Sequence, residues 1–459
     1  MAAAGRRRLL PLLVLSVLLV GVALLLLELL LLSSTGPAPP RLPPPPPPPP
    51  PPAVTTPEGT DAQWVAVTGA PHKLLVYSAF LDRRRPGGPT VVVVGATVTS
   101  RPAPLWCRLH LEGDRPPLLV DAEVKNIREN WNLKYSAVFV LCPMSGGVTG
   151  TGDERPVSVT VTAAPREDAH NRLLVQNREP VEAPSRSIGV CVKPLHFRYD
   201  AVAQLVEFIE LQKLLGVDRF MFYNSSVGPR VDCALRWYGA RGGVTVLPWR
   251  LDLRSQRDIR TEGMFAALND CLLRSLPVSS HLAMLDLDEA IVPRMNASLH
   301  GLLDALENGL GSQRPAASYS FQNTFFYLGW PDDASAGSAL TSLAKTRRRT
   351  YRHPHGQRSK YLAVPQYVLE AGNHFVWQTV PGHGTVHVAP AMATLHHYRQ
   401  CEFGGQACLL SPNVRDTGTR WLGAKLKKAV AASLVGISDS CPKTMAVNDQ
   451  DWRSLIEAT

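Results

Sequence analysis

The apolar positions divide the chain into three unlike stretches. From Leu9 to Leu32 they run almost unbroken, interrupted only by Pro11, Ser16, Gly21 and Glu28. At about 1.5 Å per residue such a run crosses a hydrocarbon core of about 30 Å. It exceeds the apolar region of a cleaved signal peptide, about 7–15 residues. From Trp64 to Val175 the apolar runs are short, β-branched and bounded by turn residues, as in Val91–Val98, Leu105–Leu111 and Val157–Val161. This pattern predicts a small antiparallel, sandwich-like β domain over 64–185.

After Ser187 strands and helices alternate. Ile188–Val192 reads as a buried strand. Val202, Leu205, Val206, Ile209, Leu214 and Leu215 recur at helical spacing, with Asp200 placed as a cap and Gly216 as the stop. Strands at Val217–Tyr223 and Val244–Leu247 follow, separated by a helix at Val231–Tyr238. A helix from about Arg260 to Leu276 leads to a fourth strand, His281–Leu287. This order predicts an α/β domain over 186–441, with a parallel sheet covered on both faces and its ligand at the carboxyl ends of the strands.

Composition sharpens the first stretch most. The chain has 459 residues with 48 Lys+Arg against 38 Asp+Glu, a formal charge of +10. No basic block is long enough for a nucleic-acid arm, and no zinc-knuckle or RNA-binding signature occurs, so nucleic acid is not expected as a partner. Arg6, Arg7 and Arg8 precede the apolar run and only Arg41 follows soon after. That asymmetry predicts a cytosolic tail at 1–8, an uncleaved transmembrane signal-anchor at 9–32 and a lumenal remainder. Of 40 prolines, ten are consecutive, Pro43 to Pro52. A polyproline II rod rises about 3.1 Å per residue, so 33–63 reads as a proline-rich stalk. Eight cysteines without a CxxC pair suit an oxidising lumen. Cys107 with Cys142, and Cys401 with Cys408, are the pairings that keep loops local. Sequons stand at Asn224 and Asn296. Residues 442–459 read as a C-terminal tail.

Chemistry concentrates where the fourth strand ends, in "HLAMLDLDEAIVP". Asp286 and Asp288 share one face of an extended chain, with Glu289 beside them. Such carboxylates are costly unless a cation or donors compensate. A hard divalent ion sharing its shell with substrate phosphates is one solution; a solvated turn or helix cap is the other. The setting, an α/β alternation in an anchored lumenal chain, selects nucleotide-sugar transfer. No Ser-His-Asp elbow, Walker loop or GxGxxG fingerprint competes.

The segment from Ile188 to Arg399 resembles glycosyltransferase family 92. The resemblance is carried by "CVKPL" from Cys191, "FIELQKLLGVDRFMFYNSS" from Phe208, "ALNDCLLRS" from Ala267, "LDLDEAIVP" from Leu285, "SFQNTFF" from Ser320, "SKYLAVP" from Ser359 and "HHYR" from His396. It implies a GT-A, Rossmann-like catalytic domain, a divalent metal (usually Mn²⁺), a UDP-sugar donor and a type II Golgi membrane topology. It further implies inverting β1,4-galactosyl transfer from UDP-galactose to galactose or fucose of glycoprotein N-glycans. Another UDP-sugar or acceptor, or a silent lumenal glycan-binding protein, remains open.

Under that reading Asp288 binds the metal, and Asp286 binds the donor's ribose or the metal through water. His397 completes the shell, with His396 as the fallback. Tyr223 and Asn224 end the second strand, where uridine would lie, and Asn269 with Asp270 is a further donor-facing pair. Lys360 is the diphosphate candidate, ahead of the basic run at Lys345–Arg352. Inversion needs one general base on the acceptor hydroxyl; Glu370 and Asp333 are the candidates, and Glu289 supports the shell.

Overall fold

The computed structural model describes residues 62–441, apart from 114, 145–154, 168, 181–183, 185, 296, 312–314 and 403–404. The anchor at 9–32, nearly all of the stalk, Asn296 and the tail at 442–459 therefore lie outside the described residues. Among the described residues no helix is long and apolar enough to cross a membrane.

Eight strands form the first sheet: β1 (Val65–Ala66), β2 (Leu75–Asp82), β3 (Thr90–Val98), β4 (Leu105–His110), β5 (Leu118–Asn126), β6 (Tyr135–Pro143), β7 (Ser158–Thr162) and β8 (Leu173–Gln176). Their order is β1-β2-β3-β6-β5-β4-β7-β8, and β8 returns to pair with β2 in parallel through Ala79↔Val175 and Phe80↔Gln176. The sheet thus closes on itself, where the sequence pattern suggested an antiparallel sandwich. Closure removes the free edges that a sandwich would leave. A disulfide joins Cys107 on β4 to Cys142 on β6, as local pairing suggested.

Alternation sorts the apolar residues of this sheet into two cores. Val91, Val93, Val138 and Val140 face the interior of the ring. Val92, Val94, Phe139 and Leu141 face outward, yet they are equally buried, because they pack on a helix of the second half. That double burial explains the unbroken apolar run of β3.

The second half has a seven-stranded mixed sheet. Its strands are β9 (Ile188–Val192), β10 (Arg219–Asn224), β11 (Val244–Pro248), β12 (His281–Leu285), β14 (Ser318–Phe321), β17 (Lys360–Ala363) and β20 (Thr385–His387), in the order β11-β10-β9-β12-β17-β14-β20. Strands β9 to β12 are parallel, as the alternation predicts, but β17 runs antiparallel to β12. A second, three-stranded sheet pairs β13 (Glu289–Pro293) and β15 (Asn323–Tyr327) with β21 (Ala393–Arg399). Two small ribbons, β16 (Arg347–Arg349) with β22 (Asn413–Arg415) and β18 (Val368–Ala371) with β19 (Val376–Thr379), complete it.

The covering helices are α1 (Val202–Leu215), α2 (Pro229–Gly239), α3 (Met264–Arg274), α4 (Leu299–Leu310) and α5 (Gly423–Ser440). Gly216 ends α1 at φ 105°, a left-handed value that glycine adopts without strain. Asp200 does not cap α1. Its carboxylate instead accepts the N–H groups of Arg230 and Val231, both at 3.0 Å, and so caps α2. Helix α3 lies between the two sheets, and its apolar face completes the core it shares with β3 and β6.

Candidate active site

The order β11-β10-β9-β12 contains a reversal. From β9 the chain builds outward to β10 and β11, then returns to place β12 on β9's other side. Ligands of open α/β sheets bind outside the carboxyl ends at such a switch. A cavity of about 540 Å³ opens there. Lys193 follows β9 directly and Asp286 follows β12, and the two meet at 2.8 Å across the switch. The parallel register Leu285↔Val192 is what aligns them.

Below that pair the floor is densely ionic. Lys360 Nζ lies 3.3 Å from Asp286 and 3.2 Å from Glu289, and donates to Asn373 Oδ1 at 2.9 Å. Its ammonium protons are thus already engaged, and its side chain is only 2% exposed. Burial alone would disfavour the charge on Lys360, but Asp286 and Glu289 outweigh it and hold the pKa above the ordinary lysine value. Burial also opposes ionisation of Asp286, and there Lys193 and Lys360 prevail, keeping its carboxyl well below the usual range. For Glu289 burial wins: its pKa is raised, Lys360 offsetting only part of the cost and Asp286 adding to it.

Above the floor stand Asp288 and His397. Strand β13 pairs antiparallel with β21 in the register Glu289↔His397, which brings the late histidine beside the acidic turn. His397 Nδ1 lies 3.2 Å from Glu289 Oε1 and Nε2 lies 3.2 Å from Asp288 Oδ2. If Nδ1–H donates to Glu289, the neutral ring turns a lone pair at Nε2 toward a carboxylate oxygen. Two acceptors then face each other, an arrangement that a shared cation satisfies. Asn323 adds a second observation. Its buried Oδ1 has no partner, while its Nδ2 sits 3.0 Å from His397 Nδ1. With the amide turned over, that oxygen accepts the same proton. Among the described residues no three His, Cys, Asp or Glu side chains form a metal cage. Asp288 and His397 are the two side chains here that could share a divalent ion, with other positions left for ligand oxygens. His396 points away, its ring tilted against Phe326 at 4.4 Å and its pKa held down to about 3 by burial.

Several expected site residues stand elsewhere. Tyr223 is sealed in the core and donates to Asp270 at 2.6 Å, while Asn269 brackets the backbone of Ala371 at 2.8 and 2.9 Å. Asp270 also accepts from Ser78 at 2.5 Å and pairs with Arg274 at 2.9 Å. None of these lines the cavity, nor does Asn224, whose carbonyl accepts from Trp249 N at 2.9 Å. They tie the first sheet and α3 to β10. Glu370 is fully buried against Lys125 of β5 at 2.7 Å. Asp333 is held by Ser335, Arg415, Arg420 and Thr346, contacts that keep its pKa well down. Neither carboxylate lines the cavity. Lys360 is engaged by Asp286, Glu289 and Asn373 on the floor and does not line the cavity, whereas Lys193 does. The cavity adds Arg358, Arg399 and Glu402 at its rim. Glu402 lies 3.6 Å from Arg358 and also pairs with Arg399. It sits inside the small loop closed by Cys401–Cys408. Lys193 stood in the "CVKPL" motif, one position past a predicted strand, and that adjacency was a usable signal.

The profile of glycosyltransferase family 92 matches residues 186–434, more than half of the chain. The chain belongs to glycosyltransferase family 92. It is 23% identical over 295 residues to the β-1,4-galactosyltransferase galt-1 of Caenorhabditis elegans, covering 62% of this chain and 65% of that one. It is 26% identical over 353 residues to a glycosyltransferase family 92 protein of the same organism, covering 72% and 64%. The chain thus spans slightly less than two thirds of either relative. Among solved structures, S. aureus TarS 1–349 in complex with UDP aligns over 59% of this chain and 75% of that one, at 8% identity and a TM-score of 0.28. So low a score carries no argument. In this family 92 chain the matched segment holds β9 to β21, and with them the whole cavity wall.

Proposed function

We propose that the cavity transfers a hexose from a UDP-sugar to a glycan hydroxyl with inversion, most simply galactose from UDP-galactose in β1,4 linkage. The acceptor would be galactose or fucose on a glycoprotein N-glycan. The observation that supports transfer is the pairing of Asp288 with His397 beside the Lys193–Asp286 bridge at the switch of the sheet. The name of the galt-1 relative favours galactose and the β1,4 linkage.

In this reading Asp288 and His397 would hold a divalent cation, Mn²⁺, and such an ion would supply positive charge for the departing diphosphate. Glu289 orients His397. Lys193 meets diphosphate oxygens, and the Lys360 charge keeps Asp286 ionised beneath them. The acceptor hydroxyl approaches the sugar's anomeric carbon from the face opposite the diphosphate, and a carboxylate takes its proton. Asp286, Asp288 and Glu289 serve the cation site in this reading, which leaves Glu402, paired with Arg358 and Arg399 on the same wall, as the candidate base once the acceptor displaces those partners. The run at 9–32 would anchor the enzyme in the Golgi membrane, with 33–63 as its stalk and the catalytic domain in the lumen.

The test is turnover by the detergent-solubilised full chain with a panel of UDP-sugars, Mn²⁺ and galactose- or fucose-terminated glycans. UDP-galactose should be the preferred donor, and EDTA should stop the reaction. Turnover indifferent to EDTA would sink the metal-dependent mechanism, and preference for another UDP-sugar would replace galactose.

A further inference from the structure

The segment following β9 carries a feature that metal and diphosphate binding do not use. Phe197 lines the cavity and is 77% exposed. Among the described residues it is the one exposed large apolar side chain on that wall. Its φ is 56°, and Arg198 beside it has φ 53°. Two consecutive non-glycine residues in the left-handed region are strained, and bulky ones especially so.

The strain is held by lacing to the segment after β10. Leu195 bridges to Asn224 and Tyr199 to Val227. Arg198 N donates to Ser226 Oγ at 3.2 Å, and Tyr199 N to Ser226 O at 3.2 Å. His196, fixed by Pro194 O at 2.8 Å, meets the Phe197 ring at 4.5 Å and 63°. The ring is therefore supported from one side and presented to the cavity. A solvent-facing phenyl on a strained, tightly laced turn is costly to maintain without a flat ligand to cover it.

We infer that Phe197 is the stacking platform for the donor's nucleobase. This rests on the reading of the cavity as a UDP-sugar site. Position within the sheet selects the base over a sugar. The cationic and metal-binding groups assigned to the diphosphate stand where β9 and β12 end, whereas the turn that carries Phe197, farther along the chain from β9, is laced to the segment after β10, on the far side of β9. The diphosphate end of one nucleotide would lie at the β9–β12 side of the cavity and its base end toward β10. A pyrimidine presents a π-face to the ring, and such stacking is worth roughly a tenfold or greater change in affinity per base.

The experiment measures binding of UDP and of inorganic pyrophosphate to the full chain by titration calorimetry, in wild type, Phe197→Ala, Phe197→Trp and Phe197→Gly. Phe197→Ala should weaken UDP about tenfold and leave pyrophosphate unchanged, while Phe197→Trp should bind UDP nearly as wild type. Phe197→Gly, which removes the strain at φ 56°, should melt at a higher temperature than wild type yet bind UDP as weakly as the alanine variant. UDP binding unchanged in Phe197→Ala overturns the inference, as does equal loss of both ligands. A rise in acceptor KM with UDP affinity intact reassigns the ring to the acceptor sugar and also overturns it. Failure of wild type to bind UDP overturns both the inference and the donor reading, so the two failures are distinguishable.

Discussion

Two buried ionic clusters in this molecule look alike residue by residue and differ in one respect. Around Asp270, Arg274, Tyr223 and Ser78 consume the carboxylate's acceptor capacity, and the group is walled in by the first sheet. Around Asp286, Lys193 and Lys360 do the same, but the cluster forms one wall of an open cavity and leaves Asp288 31% exposed above it. A paired buried acid therefore marks a candidate site only where it borders space and a neighbouring acid stays partly exposed. The sealed cluster is a fastener between two halves of the chain.

Breaking the sealed cluster should have the largest effect on stability. Asp270→Ala removes the carboxylate that Arg274, Tyr223 and Ser78 share beneath the first sheet and should cost about 3–5 kcal/mol in urea unfolding. Turnover per folded molecule should persist; if it falls with stability intact, Asp270 belongs to the site after all. Breaking the open cluster should do the reverse. Asp288→Ala should lower kcat at least about 10²–10³-fold and leave the thermal midpoint near that of wild type. Glu402→Gln should cost about 10²-fold or more in kcat, and Asp333→Asn, outside the cavity, should cost nothing. Equal losses in the two variants would remove Glu402 as the base.

The smallest effect concerns pH. Burial, with Arg186 and His300 nearby, pushes the His281 pKa down to about 4 from an ordinary 6.5. The unfolded chain therefore binds this proton more readily than the native one. The stability this group contributes is complete above pH 6.5 and is lost as pH falls toward 4. His281→Gln should melt with a smaller drop between pH 7 and pH 5 than wild type does, by a few degrees at most. A drop of equal size would mean that His281 titrates normally in the native state.

Much of the frame was legible. The runs at Ile188–Val192 and His281–Leu287 announced two buried strands, the second ending at Leu285, and the acids after it stand on the cavity wall. What could not be read was partnership across strands. Lys193 meets Asp286 only because β9 and β12 lie parallel in one register, and nothing local states that register. Glu370 illustrates the opposite failure. A late acid in a strand-like stretch suits a base, but Lys125 of the first sheet neutralises it from far away in the sequence. Tyr223 ended the expected strand, yet its side chain points to the sealed face. The period of 2 makes a strand's end residue equally able to face either way.

The cystine between Cys233 on α2 and Cys441 after α5 spans 208 positions. The acidic turn, the late histidine and the Cys401–Cys408 loop all lie within that interval, so Asp288, His397 and Glu402 sit on a covalent ring that leaves Lys193 outside. A protease that nicks any one exposed turn between those two cysteines opens the ring and leaves the pieces joined. Such a product would travel as a single species until reductant is added, and only then part into two.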